Sequence, residues 1–496
     1  MNAPQATTPP QPTTPTVPGT RVAPGAGQDA PQRITDLTVE QLVAAYAAGD
    51  LDPSEVLAAS LELVAEAEPV LHAVYDSFEQ EAGAAARASG RRWRAGEQRG
   101  AMDGVPVTLK ENQQIVGRPT PWGSAATTPV PAAADAPVVD RLHDAGALVL
   151  ARTVMPELGM LSSSLSSLHP AARNPWNLAW SPGGSSAGAG AAAAAGYAPV
   201  NLGSDIGGSV RLPASWCGVA GFKPTFGRIA VDPPYFGRTI GPMGRHVADL
   251  ARSMTVLTGP DHRDPYSLPP QQVDWTDLDL DLGGLRVGLV LDVGDGAPVD
   301  PEVARVVTES AELFAAAGAT VEPLAPYLER GTIDLIDLFW RIGHWNDYQA
   351  MDPERRELLL PFIAQWCRGG EGIGGELAVR SADAQLAVAR ATIAATRDVD
   401  LVISPVSPGA AFPVDWPMPS NSVDDPMSHI GFCVGYNMSG QPAVSVNGGF
   451  TAAGSPVGVQ IAARRYDDRR ALAAGAFLER ARPDDARRPW PRPWAA

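Results

Sequence analysis

Two Gly-Gly-Ser units lie close together in the chain, at residues 183–185 and 207–209. A serine that acts as a nucleophile needs a base for its proton and N–H donors for the oxyanion that forms. Gly207 and Gly208 allow a tight turn in which consecutive backbone N–H groups converge just before Ser209. The second unit therefore predicts a nucleophile with its own oxyanion donors.

Lysine is the candidate base for this nucleophile. None of the seven His residues lies in a stretch that resembles a Ser-His-Asp arrangement. Lys110 follows a predicted strand in which apolar residues alternate along 105–109. A lysine that burial and hydrogen bonds hold neutral can accept a proton, and Ser185 can relay that proton from Ser209. These three residues form the catalytic hypothesis.

Either Gly-Gly-Ser unit taken alone also fits a simple turn. Glycine-rich loops are common as turns and as phosphate cradles. Neither unit has the Lys-Ser or Lys-Thr ending of a phosphate-binding loop. The catalytic interpretation thus depends on both units and Lys110 together.

The composition is that of an acidic globular protein. The 496 residues include 38 Lys and Arg against 55 Asp and Glu, a net charge of −17. This charge argues against nucleic acid or an anionic membrane as partner, and no apolar run is long enough for a transmembrane helix. Three cysteines give no disulfide framework and no metal spacing. Together with the lack of a secretory signal, they favour a cytoplasmic protein without a metal.

Helix-like and strand-like segments alternate from Ile34 onward, which predicts an α/β fold with a large central mixed β-sheet covered by helices on both faces. We expect one domain over 33–485. Residues 1–32 are rich in Pro and Thr and are predicted to form a disordered tail. Residues 486–496 are rich in Arg and Pro and are predicted to be a loose end. The segment 226–246 is interpreted as a loop.

Several stretches of the chain closely resemble the amidase signature family. They are GVPVTLKE at 104–111, GGSS at 183–186, GSDIGGSVR at 203–211, CGVAGFKPT at 217–225, GQPAVSV at 440–446 and PVGVQI at 456–461. The resemblance spans about Ile34 to Arg480, and its central signature is long and specific. It implies the amidase signature fold and hydrolysis of an amide without a cofactor.

The resemblance also implies roles for individual residues. Ser209 is the nucleophile that forms an acyl-enzyme, Ser185 the relay after a cis Gly184–Ser185 peptide, and Lys110 the base. The implied oxyanion donors are the N–H groups of Ile206, Gly207, Gly208 and Ser209. Asp205 and Arg211 are implied to be a structural pair beneath the nucleophile loop.

The substrate pocket is predicted with less support from motifs. The candidate lining residues are Met160, Leu161, Trp340, Trp345, Met427, Ile430 and Cys433. Ordinary core packing is the alternative interpretation of any one of them. Because the set is mostly apolar, we expect an uncharged aryl or alkyl amide as substrate, with water as the second reactant. His344 and His429 are interpreted as structural.

Two other functions stay open. The family includes the glutaminase subunit of the glutamyl-tRNA amidotransferase, although its Ser-Leu-Asp-Gln element is replaced here by the stretch that begins at Asp232. A non-catalytic amidase-like protein that binds partners through the Pro-rich tail is the other alternative. The sequence does not fix the oligomeric state, and a homodimer stays open.

Overall fold

A single mixed β-sheet forms the centre of the computed structural model, which describes residues 33–495 except the side chain of residue 485. The predicted disordered tail at 1–32 lies outside the described residues. The strands are β1 (Val74–Ser77), β2 (Pro106–Lys110), β3 (Leu148–Thr153), β4 (Val200–Asp205), β5 (Ala220–Lys223), β6 (Thr239–Gly244), β7 (Arg286–Leu289), β8 (Thr320–Pro323), β9 (Leu401–Pro405), β10 (Ala443–Phe450) and β11 (Pro456–Ala463).

Helices connect the strands and cover the sheet. They are α1 (Val39–Ala48), α2 (Pro53–Leu71), α3 (Glu79–Ala95), α4 (Pro137–Asp144), α5 (Ala187–Ala195), α6 (Arg211–Cys217), α7 (Val247–Leu257), α8 (Pro301–Ala316), α9 (Thr332–Ala350), α10 (Pro353–Arg356), α11 (Pro361–Arg368), α12 (Gly375–Thr396), α13 (Gly431–Met438) and α14 (Asp468–Ala481). In the described part of the chain, no helix combines the length and the apolar character needed to cross a bilayer.

The strand order is β1-β3-β2-β4-β6-β5-β10-β11-β9-β7-β8. β2 pairs in parallel with β3 and β4, and β7 pairs in parallel with β8 and β9. The remaining pairs are antiparallel. The sheet is therefore mixed, as predicted.

Both faces of the sheet are covered, because every residue of β2, β3, β4, β5, β6, β9 and β11 is buried. Successive residues of β9 enter different cores: Ile403 packs in one apolar cluster and Val402 in another. Such alternation across a strand places one core on each face of the sheet. The predicted α/β architecture with helices on both faces is confirmed.

The interpretation of 226–246 as a loop is wrong at its end, where Thr239–Gly244 forms the central strand β6. The misleading signal is its content of glycine and proline, which usually marks a turn. Here the glycines serve close packing. A Cβ added at Gly241 would overlap the carbonyl oxygen of Phe222, and one added at Gly244 would overlap that of Pro199.

The C-terminal segment that we expected to be loose contacts the body of the protein. The Trp490 ring lies against Trp176 and beneath the Arg245 guanidinium, with ring centroids 6.1 Å apart and the Arg245 Cζ 4.7 Å from the Trp490 centroid. Trp494 packs beside the apolar cluster that contains Tyr197. Aromatic side chains thus anchor a segment whose Arg and Pro content suggested none of these contacts.

Helix α5 separates the two Gly-Gly-Ser units and is buried at every residue. Its sequence contains only Ala and Gly, so that neighbouring backbone approaches closely. A Cβ at Gly188 would overlap the carbonyl oxygen of Ala73 and lie 2.6 Å from the amide nitrogen of Val154. Larger residues do not fit between the sheet and the segment that precedes β1.

We expect Gly188→Ala to destabilise the protein by about 1–3 kcal/mol, the usual cost of overpacking a rigid core, because the added methyl meets backbone atoms that cannot move aside. Gly343→Ala is the matched control: it lies in α9 with no atom within 4 Å of the added Cβ. Replacing this helical glycine should stabilise the protein or leave it unchanged. Denaturant unfolding of both variants checks the prediction, and equal midpoints would contradict it.

Candidate active site

Lys110 lies at the carboxyl end of β2 and is completely buried. Its Nζ donates hydrogen bonds to the hydroxyl oxygens of Ser185, at 2.8 Å, and Ser204, at 3.1 Å. Parallel pairing of β2 with β4 brings the ends of these two strands to the same edge of the sheet. This pairing places the Lys110 amine beside Ser204 and the loop that follows β4.

The environment of Lys110 favours the neutral amine. Burial, the largest effect, lowers the pKa of Lys110, and the positive charge of Arg238 acts in the same direction, so that the pKa lies at about 7. The carboxylates of Glu111 and Asp205 act in the opposite direction. The amine is therefore partly deprotonated near neutral pH, which a base requires.

Ser185 lies on the loop before α5, and the Gly184–Ser185 peptide is cis. Gly184 is needed for close approach, since a Cβ there would overlap the carbonyl oxygen of Ser163. The amide of Ser186 donates to the carbonyl oxygen of Ser209 at 3.2 Å. This bond ties the first Gly-Gly-Ser unit to the second.

Ser209 is partly exposed to the cavity that Lys110 and Ser185 also line. In residues 33–495, no hydrogen bond joins its hydroxyl to that of Ser185. The N–H groups of Ile206, Gly207 and Ser209 likewise donate to no atom of this region. The N–H of Gly208 instead donates to Asp205 Oδ1 at 2.8 Å. Of the four N–H groups implied as oxyanion donors, three are available and that of Gly208 is occupied.

The buried pair of Asp205 and Arg211 supports this loop from below. Asp205 Oδ2 accepts hydrogen bonds from the Val210 amide at 3.2 Å and from Arg211 Nε at 2.9 Å. Burial alone would raise the pKa of Asp205, but the Arg211 charge and hydrogen bonds from Arg211 and Asn437 hold it well below its usual range. Arg211 also donates to Asn437 Oδ1 and Gln460 Oε1, at 2.6 and 2.7 Å. The pair connects the nucleophile loop to α13 and β11.

The cavity above Ser209 has a volume of about 410 Å³. Five of the predicted pocket residues line it: Met160, Leu161, Trp340, Met427 and Ile430. Additional apolar side chains come from Trp122, Met155, Leu158, Leu212 and Met351. The lining of the cavity around Lys110, Ser185 and Ser209 is therefore mainly apolar.

Two predicted pocket residues are not part of this wall. Cys433 is completely buried behind Gly208, and its Sγ donates to the carbonyl oxygen of Val406 at 3.2 Å. Trp345 lies on another face of α9, where its ring stacks on Tyr348 with centroids 5.4 Å apart. Proximity in sequence to lining residues misled the prediction, because a helix turns neighbouring side chains away from each other.

Sequence reasoning did not identify several polar residues of the cavity. Ser204 lies within the signature stretch yet was not singled out; it accepts a hydrogen bond from Asn112 Nδ2 at 3.0 Å as well as from Lys110. Parallel pairing of β2 with β4, and not a local sequence pattern, brings Ser204 to the amine, because both strands end at the same edge of the sheet. Asn112, Tyr235, Arg238 and Asp347 also line the cavity, and only the fold brings them together.

Of the two histidines that were interpreted as structural, one lines the cavity and the other lies behind its wall. His344 lines it, and His429 Nε2 lies 2.6 Å from the hydroxyl of Ser162, another lining residue. Burial lowers the pKa of His429 to about 3, so that its ring is neutral. Within residues 33–495, no three His, Cys, Asp or Glu side chains are grouped in a way that would hold a metal ion.

Comparison with known proteins agrees with this geometry. The model of the Amidase family matches residues 55–472. The chain is 34% identical to an acylamidase from Rhodococcus erythropolis, covering 91% of this chain and 97% of that protein. It is 31% identical to a subunit of the glutamyl-tRNA(Gln) amidotransferase from Synechococcus sp. (strain CC9605), covering 92% and 98%.

The fold is also found in a solved structure of a bacterial aryl acylamidase that belongs to the amidase signature enzymes. It superposes with a TM-score of 0.82 at 28% sequence identity, covering 90% of this chain and 96% of that one. Family model, relatives and structural neighbour agree over nearly the same residues. The chain therefore belongs to the amidase signature family of amide hydrolases.

Proposed function

We propose that this enzyme hydrolyses the C–N bond of a carboxamide with an aryl or alkyl body, through an acyl-enzyme on Ser209. The observation that carries the proposal is the 2.8 Å hydrogen bond between the buried Lys110 amine and Ser185, at the floor of the cavity that Ser209 lines. The similarity to an acylamidase and to an aryl acylamidase supports the same type of reaction.

In the proposed mechanism, the neutral amine of Lys110 accepts the proton of the Ser185 hydroxyl while Ser185 accepts that of Ser209. Rotation of the Ser209 side chain closes the relay, since catalytic hydrogen bonds often tighten only when substrate is bound. The Ser209 oxygen attacks the amide carbonyl carbon. The proton then returns along the same path to the leaving nitrogen, and water hydrolyses the acyl-enzyme by the reverse sequence.

The oxyanion of each tetrahedral intermediate would lie against the N–H groups of Ile206, Gly207 and Ser209. Donors fixed before the reaction stabilise developing charge without reorganising, and this is a large contribution to catalysis. In this proposal Gly208 takes a different part from the one the family resemblance implied: its N–H orients Asp205, and its φ of 117° makes the turn.

The apolar wall supports an aryl or alkyl substrate body. Trp340, Met351 and Met427 come from segments outside the signature motifs and form part of the cavity lining. Methionine side chains adapt to ligands of different shape and make favourable contacts with aromatic rings. An aromatic or branched acyl group would bury most of its surface here.

Because amidotransferase subunits are among the relatives of this chain, the glutaminase alternative needs a test. We expect the purified chain alone to release ammonia or amine from simple amides, because the catalytic side chains and the proposed oxyanion donors all come from one chain. A panel of aryl, aliphatic and cyclic amides with L-glutamine included measures this. The proposal would be contradicted if the chain hydrolysed glutamine and no other amide of the panel, and did so only when a partner chain was present.

The buried position of Lys110 predicts a pH dependence of kcat/KM. Below a pH of about 7 the amine is protonated and cannot accept a proton, so kcat/KM should fall about tenfold per pH unit and level off above that pH. Measurement on a neutral amide from about pH 5 to about pH 9 tests this. A flat profile, or one that falls on the alkaline side of pH 7, would contradict the role of Lys110.

Lys110→Ala should lower kcat/KM by about 10²–10⁴-fold, the usual contribution of a positioned base. Lys110→Arg should be inactive at every pH, because a guanidinium keeps its proton. A fluorophosphonate should label Ser209 in the native protein and fail to label Ser209→Ala. Native protein that resists labelling and turns over no amide would instead support the non-catalytic alternative.

A further inference from the structure

Arg238 is a cation in the cavity wall without an acidic partner in contact. It lines the same cavity as Lys110, Ser185 and Ser209. Within residues 33–495, no carboxylate oxygen lies within 4.0 Å of its guanidinium nitrogens, the outer distance of an ion pair. By contrast, Arg211, also beside the nucleophile loop, pairs with Asp205 at 2.8 Å. The two arginines therefore have different parts in the site.

The hydrogen bonds of Arg238 leave much of its guanidinium unused. Its Nη2 donates to the carbonyl oxygen of Pro233, and its Nε is buried with no partner in the described structure. Burial lowers the pKa of Arg238, while Tyr235, Asp232 and Asp264 only partly offset this effect. The Asp264 carboxylate is already occupied by the amides of Val231 and Tyr266. Its Nη1 also donates to no acceptor among the described residues, so this desolvated cation in the cavity wall retains donors for an incoming acceptor.

The backbone of Arg238 is fixed next to the reacting centre. It directly precedes β6, whose first residue, Thr239, pairs with Asp205 at the end of β4. Arg238 thus lies across from Ile206, the first of the available oxyanion N–H groups. Its side chain also lines a small recess with Asn112, Trp122 and Ser204. An anion held by Arg238 would share the cavity with the scissile amide.

We propose that Arg238 binds a carboxylate carried by the substrate, so that the preferred substrates are amides with a second, anionic group. The inference rests on the proposed function and adds a charge to the aryl or alkyl body expected from the sequence. The planar guanidinium matches a carboxylate geometrically, and such bonds strengthen where water is excluded. The cavity of about 410 Å³ leaves room for a carbon skeleton between amide and carboxylate.

Matched pairs of primary amides test the proposal, because –CONH2 and –COO⁻ have nearly the same shape. The pairs are terephthalamide with 4-carbamoylbenzoate and adipamide with adipamate, and released ammonia is measured. After correction for the two equivalent amides of each diamide, wild-type kcat/KM should favour the anionic member of at least one pair by about tenfold or more. Arg238→Met should bring this ratio close to one, and Arg238→Lys should keep part of it.

The ratio is measured within each enzyme, so that any effect of Arg238 on the pKa of Lys110 in the free enzyme, which is the same for both substrates, cancels. Arg330→Met removes one positive charge from a separate cavity beside Asp295 and should leave the ratio unchanged. A wild-type ratio near one for both pairs, or an unchanged ratio in Arg238→Met, would overturn the proposal.

Calorimetric binding to Ser209→Ala separates this inference from the proposed function. 4-Carbamoylbenzoate should bind at least about tenfold more tightly than terephthalamide, and the additional change Arg238→Met should remove the difference. This result is expected even if turnover shows that Ser209 is not the nucleophile. Equal binding of both compounds to Ser209→Ala would overturn the assignment of Arg238.

Discussion

The Lys110 amine is held out of water with hydroxyl groups, and not carboxylates, as its hydrogen-bond partners. Nζ contacts Ser185 and Ser204, and in the described part of the chain no carboxylate oxygen lies within 4.0 Å of it. A buried amine in contact with a carboxylate would keep its proton, because an opposite charge stabilises the charged form. Burial has the largest effect on the pKa of Lys110, so the amine is partly deprotonated at neutral pH. The catalytic proposal depends on this balance.

The residues around Lys110 maintain this balance between burial and nearby charge. Asp205 is one of the two carboxylates that act on Lys110, and it is held by Arg211, Asn437 and the amides of the nucleophile loop. Removing one member of such a buried pair typically costs about 3–5 kcal/mol. The same carboxylate orients the loop through the N–H of Gly208. Folding stability and the geometry of the proposed oxyanion donors are thus coupled through one side chain.

The sequence was sufficient where the constraint is local. Glycines before each serine, the Ala and Gly helix between them and the strand that ends at Lys110 all follow from steric rules that act over a few residues. Strand β6 was missed because its glycines serve packing against backbone from elsewhere in the sheet. Ser204 and Arg238 were missed for a related reason: each has an ordinary local context, and only strand pairing brings them to the site. Trp345 is an error of the opposite kind. It was predicted to line the cavity together with Trp340, and only Trp340 does so.

In the proposed function, catalysis and substrate choice come from different parts of the fold. The proposed catalytic side chains lie at the ends of paired strands and in the loops that contact them, where small changes meet rigid backbone. The apolar lining of the cavity comes largely from residues 155–161, from α9 with the residue that follows it, and from residues 427–430. Apolar side chains of similar volume can replace one another there at modest cost. This separation explains how one signature serves both an acylamidase and part of an amidotransferase, two proteins with similar sequence identity to this chain.

Arg238 connects the strand ends with the substrate cavity. Its backbone lies directly before β6, beside the carboxyl end of β4, and its side chain lines the cavity. Its positive charge lowers the pKa of Lys110, so an empty cavity favours the neutral amine. A carboxylate bound to Arg238 would offset that charge and raise the pKa of Lys110 again. The amine would then bind a proton more strongly in the complex than in the free enzyme, and a smaller fraction of it would be neutral at a given pH. Recognition of an anionic group and the protonation state of the base would in this way be coupled through one electrostatic interaction.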